Sequence, residues 1–314
     1  MDPAVDQIRL DFDPSSILAL NIILGILMFG VALDLHPSDF RRLARQPRGP
    51  LVGVVAQLLL LPAMTWLLIQ VIRPPASVAL GMLLVAACPG GNVSNFFTWL
   101  ARGNTALSVG MTAVTSTAAL VMTPFNVTLW GSLDSGAAKL LTEVHLEPWQ
   151  MLRTILLILG IPLAVGMSLG ARFPWLTQRV RRPLRIGGGL LFMAFIVGAF
   201  AKNWEFLGAL ILPLLGLVVL HNAVALSLGY GVGRIARLPR RDARTLAIEV
   251  GIQNSGLGLA LIFNFFEGLG GMAVVAALWG TWHLVAGLVL AQVWSRVPTG
   301  DAVKPMTAAS GGSP

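Results

Sequence analysis

The sequence predicts an all-α polytopic membrane protein with nine transmembrane helices. Of its 314 residues, 55% are hydrophobic and only 11% are charged, whereas soluble globular chains carry about 25% charged residues. A membrane-spanning helix needs about 20 mostly apolar residues, and many such stretches follow one another here with short loops between them. The surplus of apolar surface therefore has to face lipid.

Nine hydrophobic segments are predicted to be helices, because lipid offers no partner for open backbone groups. They run near 16–35, 50–71, 77–101, 104–130, 148–170, 185–201, 205–233, 241–265 and 269–295. Residues 1–15 are acidic and lack the basic region of a signal peptide, and they are predicted to form an extracytoplasmic N-terminus. Residues 296–314 form a tail predicted to be disordered, so the membrane domain covers 16–295.

The basic residues predict how these segments are oriented. If the N-terminus lies outside, 17 of the 22 Lys and Arg residues fall in inside loops, and the split alternates strictly with segment number. Basic residues are enriched in cytoplasmic loops. The pattern therefore predicts an inner-membrane protein with its N-terminus outside and its C-terminus in the cytoplasm. It also accounts for the net charge of +8 without a nucleic-acid partner.

The third and eighth segments are each interrupted near the middle. The breaks lie at residues 88–91, Cys-Pro-Gly-Gly, and at residues 249–254, Glu-Val-Gly-Ile-Gln-Asn. The two segments are predicted to cross the membrane in opposite directions. Matching breaks in oppositely oriented helices predict an inverted-repeat core, with segments 1–4 related to segments 6–9 and a site near the bilayer midplane.

Glu249 is the one acidic residue predicted to lie deep inside a hydrophobic segment. A carboxylate at this depth costs about 2.5 kcal/mol or more, and no Lys or Arg lies at comparable depth, so the partner is either a bound cation or a proton. Oxygen-bearing residues on four segments could surround it, and such ligands suit a hard cation. Each Ser or Thr could equally bond its own helix backbone. The candidate oxygens belong to Gln57, Ser94, Asn95, Ser108, Thr112 and Gln253, together with the backbone carbonyls of Val250 and Ile252.

The broken helices also predict an anion site. The half-helices after Gly91 and after Asn254 are expected to expose N–H groups and the positive end of the helix dipole. No fixed positive side chain is expected there. Glu249 and two monovalent cations would leave one positive charge for a monoanion to neutralise, which would couple the two ligands. The intramembrane imidazoles of His221 and His283 are either helix contacts or ligands.

Five stretches resemble the bile acid:sodium symporter family in order and spacing, and the chain is similar to a bacterial member over roughly residues 20–295. They are Met28-Phe29-Gly30, Pro37-Ser38-Asp39-Phe40, residues 88–95, residues 100–104 and residues 249–257. The resemblance implies a panel domain of segments 1, 5 and 6. It implies a core domain of segments 2, 3, 4, 7, 8 and 9, in which the two broken helices cross.

The resemblance further implies two Na⁺ as coupling ions and no cofactor. The first sodium would be held by Ser94, Asn95, Ser108, Thr112 and Glu249. The second would be held by Gln57, Glu249, Gln253 and the carbonyls of Val250 and Ile252. Substrate contacts in the family fall on Asn92, Asn254 and His283. Asn92 stands where a bacterial relative has Thr, and Leu284 stands where an Asn is found, so the substrate does not carry over.

The predicted function is therefore that of a sodium-coupled symporter, and not of an enzyme. It would import a small organic anion (bile-acid-like, a keto or hydroxy acid, or a sulfonate) by alternating access. The alternative is a proton-coupled organic anion transporter with Glu249 as the proton carrier. An intramembrane enzyme or a sensor is less favoured, since no nucleophile–base pair is evident at depth. The sequence leaves the oligomeric state open.

Overall fold

The computed structural model describes residues 3–10, 14–33, 35, 45–144, 147–202 and 204–298. Within these ranges the chain is helical, and its only β pairings are isolated bridges. The family-like motif at residues 37–40, parts of the predicted N-terminal segment (1–2 and 11–13) and the predicted tail from residue 299 lie outside the described residues.

Helices occupy each of the nine predicted segments, although nine membrane passes remain a prediction. Six helices in the described ranges are long and apolar enough to cross a membrane, and they fall in α1, α2, α5, α7, α9 and α12. The helices are α1 Pro14–Ala32, α2 Arg48–Ile72, α3 Ala76–Ala87, α4 Val93–Leu100, α5 Thr105–Ser132, α6 Ser135–Glu143, α7 residues 148–172, α8 Pro174–Lys202, α9 Trp204–Ile235, α10 Arg240–Gly251, α11 Ser255–Phe265 and α12 Gly270–Ser295.

Two helices contain a π turn directly before a proline. In α2 the turn is Ala56–Leu60, followed by Pro62; in α7 it is Leu156–Gly160, followed by Pro162. A proline inside a helix has no N–H to donate and clashes with the carbonyl four residues earlier. The wider π turn relieves that clash, and in α2 it carries Gln57.

Two elements differ from the sequence prediction. Helix α8 begins at Pro174, not near residue 185, because its arginine-rich first half is also helical with proline at the first position, where no N–H is needed. Arg179, Arg181 and Arg182 therefore lie on a helix and not in a loop. The short α6 was not predicted; the Asp134 side chain caps it by accepting from the N–H of Ala137 (2.9 Å).

The helices pack into two groups. Helix α1 packs on α7 and α8, whereas α9 packs along α10 and α12, and α3 packs on α5 and α12. The main hydrophobic core lies in the second group, with α3, α11 and α12 contributing almost continuous runs of buried side chains. The two interrupted segments both lie in this second group, where they come together. The division into panel and core domains stays a prediction.

Candidate functional site

The two interruptions meet and satisfy each other's backbone. The Gly91 N–H donates to the Ile252 carbonyl (2.7 Å), and the Asn254 N–H donates to the Pro89 carbonyl (2.8 Å). Gly90 and Gln253 lie opposite each other in this antiparallel bridge. Because a buried open backbone group costs free energy, the pairing explains how two chain breaks are tolerated at one place.

Glycine is required on one side of this crossing. A Cβ on Gly90 would lie 3.0 Å from Oε2 of Glu249, and a Cβ on Gly91 would lie 3.0 Å from the carbonyl oxygen of Gln253. Both distances are shorter than an ordinary van der Waals contact. The Gly-Gly pair therefore allows the break after α3 to approach α10 closely enough to form the bridge.

Glu249 is fully buried on α10, beside the crossing. Its Oε1 accepts from the hydroxyl groups of Ser94 on α4 and Ser108 on α5, and its Oε2 accepts from Thr112 Oγ1 (3.1 Å). All three of these donors are neutral. An ionised carboxylate in such surroundings lacks a countercharge, so it requires either a cation or a proton.

Asn95, the remaining side chain of the first predicted ion site, follows Ser94 on α4. Its Oδ1 is buried and has no hydrogen-bond partner among the described residues. A buried acceptor of this kind is rare in folded proteins and calls for a partner such as an ion or water.

The second predicted ion site is built on Gln57 and Gln253. With the Gln57 amide oriented to satisfy both of its ends, its nitrogen donates to the Glu249 carbonyl (3.0 Å) and its oxygen accepts from Gly90 N–H (3.1 Å). The Gln253 amide donates to the Val250 carbonyl (2.7 Å). The structure thus brings the predicted residues together. The carbonyls of Val250 and Ile252 each accept one bond already, which leaves each a second lone pair.

A cavity of about 810 Å³ lies beside the crossing, between α1 and α8 on one side and α11 and α12 on the other. Its wall is mostly apolar, and no acidic residue is among the described residues that line it. Polar residues at the crossing and on α12 contribute to the lining, and they include Asn92, Asn254, Ser255, Thr281 and His283. The three predicted substrate residues therefore share one cavity, and Leu284 lines it as well.

The half-helix N-termini are less open than expected. The Asn254 side chain caps α11 by accepting from the Leu257 N–H (3.1 Å). At α4, the N–H groups of Ser94 and Asn95 bond to the carbonyls of Gly91 and Asn92 (2.9 and 3.3 Å). Local turn bonds therefore take up donors that the sequence suggested would be free.

The cavity wall carries positive charge away from the half-helix N-termini. Arg181 and Arg182 of α8 line the cavity, so fixed positive side chains do reach it. The sequence predicts a loop for both residues, because a run of arginines before an apolar stretch is typical of a cytoplasmic loop.

The two intramembrane imidazoles have different surroundings in the structure. His221 Nε2 bonds Thr65 Oγ1 (2.7 Å), and its ring packs edge-on against Trp279 with the centroids 4.6 Å apart. His221 is therefore a helix contact. His283 lines the cavity, and its Nδ1 has no hydrogen-bond partner among the described residues.

Sequence reasoning missed three further asparagines, which form two contacts. Asn222 donates to the Gly251 carbonyl (2.7 Å), which supports the end of α10 at the crossing. Asn21 of α1 and Asn264 of α11 exchange two amide hydrogen bonds (3.1 and 2.9 Å). In both cases the available signal was an amide inside an apolar segment.

Comparison with known proteins identifies the family of this chain. The family model described as "Sodium Bile acid symporter family" matches residues 21–210. An uncharacterized sodium-dependent transporter of Bacillus subtilis, YocS, is 33% identical over 277 residues, covering 88% of this chain and 83% of that protein. A probable chloroplastic sodium/metabolite cotransporter of Arabidopsis thaliana, BASS1, is 31% identical over 87% of this chain, but the match spans only 66% of that protein.

A sodium-dependent organic anion transporter of Bos taurus is 28% identical over 82% of this chain and 71% of its own length. These relatives are named as transporters. With its membrane-length helices, the chain is a multi-pass membrane protein, and it belongs to the sodium bile acid symporter family.

Proposed function

We propose that this protein is a sodium-coupled symporter that imports an organic anion by alternating access. The observation that carries the proposal is the environment of Glu249: a fully buried carboxylate held by neutral hydroxyls, directly behind a cavity whose described lining has no acidic residue. The printed names of the relatives, sodium-dependent transporter and sodium-dependent organic anion transporter, support the same function.

Two sodium sites share the Glu249 carboxylate in this proposal. Site 1 uses Ser94, Asn95, Ser108 and Thr112 with Glu249, since three hydroxyls already surround the carboxylate and the Asn95 amide oxygen has no other partner. Neutral and anionic oxygens are the donors that a hard cation prefers.

Site 2 uses the oxygens of Gln57, Gln253, Val250 and Ile252 with Glu249. The Gln57 and Gln253 amides already contact each other, the Glu249 carbonyl and the Val250 carbonyl, and Na⁺ would replace part of that hydrogen bonding. Two ions and one carboxylate leave a single positive charge beside the cavity, which favours a monoanion there.

Coupling follows from the position of the crossing between the ions and the cavity. Glu249 precedes the bridge in one interrupted segment, and Ser94 follows the bridge in the other. Ions that draw these groups together would fix the bridge and hence Asn92 and Asn254, which face the cavity. Each ligand then lowers the cost of ordering the site for the other, which is the thermodynamic requirement for coupling.

Alternating access would move the α1, α7 and α8 group against the rest. The cavity lies between α1 and α8 and the crossing, so relative movement of the groups would open and close it. We further propose the inverted-repeat core and an inner-membrane orientation with the N-terminus outside. Both agree with the oppositely directed breaks and the arginine distribution.

The first experiment measures Na⁺ binding in the absence of an organic anion. Purified protein should gain thermal stability in NaCl relative to KCl and choline chloride at equal ionic strength. A ligand at 100 times its Kd stabilises by about 2.7 kcal/mol, which is enough for a clear rise in Tm. A Tm that responds to pH but not to Na⁺ would favour the proton-coupled alternative.

The second experiment measures transport. Proteoliposomes with an imposed inward Na⁺ gradient should accumulate at least one probe from a set of taurocholate, pyruvate and methanesulfonate. Accumulation should vanish when K⁺ replaces Na⁺, and a proton gradient alone should not drive it. Uptake that ignores Na⁺ would contradict the proposal.

A further inference from the structure

The cavity-lining face of α8 continues from apolar residues directly into an arginine. Arg182, Ile186, Gly189, Met193 and Ile196 all line the cavity, with successive spacings of four, three, four and three residues. This spacing places them on one side of a helix. Arg182 therefore belongs to the cavity wall by its helical position, and its neighbour Arg181 lines the same cavity.

The arginines lie far from the crossing along this wall. A Cβ on Gly256, at the start of α11, would lie 3.4 Å from Phe192 and 3.0 Å from Leu24, so Phe192 marks the level of the crossing on α8. Ten residues separate Phe192 from Arg182. At about 1.5 Å of rise per residue, they are roughly 15 Å apart along the helix.

The charge of the cavity is concentrated at that distant position. Arg181 and Arg182 are exposed, and they are the charged residues among the described side chains that line the cavity. Low-dielectric walls focus the field of such charges into the space between them. A guanidinium also matches the geometry of a carboxylate or sulfonate, to which it can donate two parallel hydrogen bonds.

We propose that Arg182, with Arg181, forms a second anion-binding station at the mouth of the cavity. It receives the carboxylate or sulfonate of the transported anion when the cavity is open. This inference rests on the proposed function and adds a binding step to it. A compact anion would occupy the crossing and the arginine station in turn, because they are about 15 Å apart.

The station is separate from the ion sites. Glu249 and its hydroxyl partners lie behind the crossing and are absent from the described cavity lining. Loss of the arginine charge should therefore weaken anion binding and its dependence on ionic strength, while the response to Na⁺ alone stays intact. A purely structural role for Arg182 would not produce that separation.

The test uses Arg182→Gln, the double variant Arg181→Gln/Arg182→Gln and the charge-preserving Arg182→Lys. Arg179→Gln is the matched control, since Arg179 lies on the same helix but packs over the Trp175 ring (5.9 Å to its centroid) and is not part of the described cavity lining. Binding of taurocholate, pyruvate and methanesulfonate is measured by titration calorimetry in saturating Na⁺, at low and high choline chloride.

Arg182→Gln should weaken binding of the charged probe by up to about fivefold, the upper end of the range expected for one exposed charge pair. The double variant should weaken it further and remove most of the salt dependence. Arg182→Lys keeps the charge but not the paired donors, so it should retain the salt dependence and lose less affinity than Arg182→Gln. Arg179→Gln should stay close to wild type. The Na⁺-induced rise in Tm should be the same in every variant, which shows that each one is folded.

One contrary result is a double variant that binds the anion with wild-type affinity and salt dependence while its Na⁺ response stays intact. That result would overturn the proposed arginine station and would not affect the proposed function. Failure of all three probes to bind wild-type protein would overturn the station together with the anion half of the proposed function. A missing Na⁺ response in the wild type would count against the ion half alone.

Discussion

The two sides of the helix crossing differ in how their polar groups are used. Behind the crossing, Glu249 is fully buried and surrounded by hydroxyl donors from α4 and α5. In front of it, the wall of the cavity is mostly apolar. The amide oxygen of Asn254 caps α11, and His283 Nδ1 has no hydrogen-bond partner among the described residues. The bridge between Gly90 and Gln253 separates the two sides.

This difference indicates which side of the crossing tolerates amino-acid substitutions. A closely packed oxygen cluster around one carboxylate fixes the number, distance and charge of its ligands, so a substitution there removes a whole site. An apolar cavity with a few polar groups can accept different anions after small changes in its lining. We therefore expect large, ion-specific effects behind the crossing and smaller, anion-specific effects in front of it.

The largest effect is expected from Glu249→Gln. The amide keeps the size of the side chain but removes the charge that both proposed ions share. The Na⁺-induced rise in Tm should disappear, and Na⁺-driven uptake should fall to the background of empty liposomes. Thermal melts in NaCl and KCl, followed by uptake of the probe identified for wild type, measure both.

The control for this change is Ser168→Ala, which deletes a hydroxyl that bonds the Ala164 carbonyl of its own helix on an exposed face of α7. It should leave the Na⁺ response unchanged, whereas Ser108→Ala, at the Glu249 carboxylate, should weaken it. A full Na⁺ response in Glu249→Gln would remove both sodium assignments.

A smaller effect on the same side is expected from Gln57→Leu. The substitution preserves approximate size but removes an oxygen from site 2 only, because Gln57 contacts the Glu249 carbonyl, Gly90 and Gln253 and is not seen to contact the hydroxyls of site 1. One ion should still bind. The dependence of uptake on Na⁺ concentration should change from cooperative to hyperbolic, and half-saturation should move to higher Na⁺.

Thr117→Ala is the corresponding control within the same group of helices. Its hydroxyl bonds the Ala113 carbonyl one turn away on α5, outside the contacts described at either ion site. A cooperative, wild-type Na⁺ dependence in Gln57→Leu would argue that site 2 does not include this amide.

The ion side could be predicted from the sequence because its signals are local. A carboxylate inside an apolar run is costly, and the spacing of Ser108 and Thr112 places both on one face of α5, where the structure finds both bonded to Glu249. The glycines at 90 and 91 mark the close approach of the backbones. Each of these residues could be recognised because a polar side chain or a glycine pair is unusual inside a hydrophobic segment.

The cavity side could be predicted only in part. Asn92, Asn254 and His283 were named through the family resemblance, and they do line one cavity. Arg181 and Arg182 were not placed there, because whether a basic residue near a span end lies in a loop or on a cavity wall depends on where the helix begins. The length of α8 and its packing against α1 are tertiary properties that no single segment encodes.

On the cavity side, His283→Gln should change anion binding without changing the ion response. Gln retains hydrogen-bonding groups but not the imidazole, whose Nδ1 has no partner among the described residues. We expect the Kd of the transported probe to rise by about tenfold, the loss of roughly one hydrogen bond to a charged ligand. The Na⁺-induced shift in Tm should match wild type.

His221→Gln provides the contrast, because His221 bonds Thr65 and packs against Trp279 and is not among the described cavity residues. It should lower the Tm and leave the Kd of the anion close to wild type. If the two variants behaved alike, His283 would be a helix contact as His221 is.

The smallest effect is expected where the two groups of helices touch away from the cavity. Asn21 of α1 and Asn264 of α11 exchange two amide hydrogen bonds, which join the moving groups of the proposed cycle. Breaking the pair by Asn21→Ala, Asn264→Ala or both should favour separation of the groups there. Each intramolecular hydrogen bond contributes about 1 kcal/mol net, so the population of the closed arrangement should shift by severalfold and not be abolished.

A double-mutant cycle tests this contact, because the two side chains bond each other directly. The two single variants should each alter the maximal uptake rate to a similar extent, and the double variant should add little more. The Na⁺ response and the Kd of the anion measured at equilibrium should stay near wild type, since neither asparagine is among the described residues lining the cavity or bonded to Glu249. Strictly additive effects would show that the pair does not act as one contact between the groups, and the boundary that moves would then have to be sought elsewhere along α1.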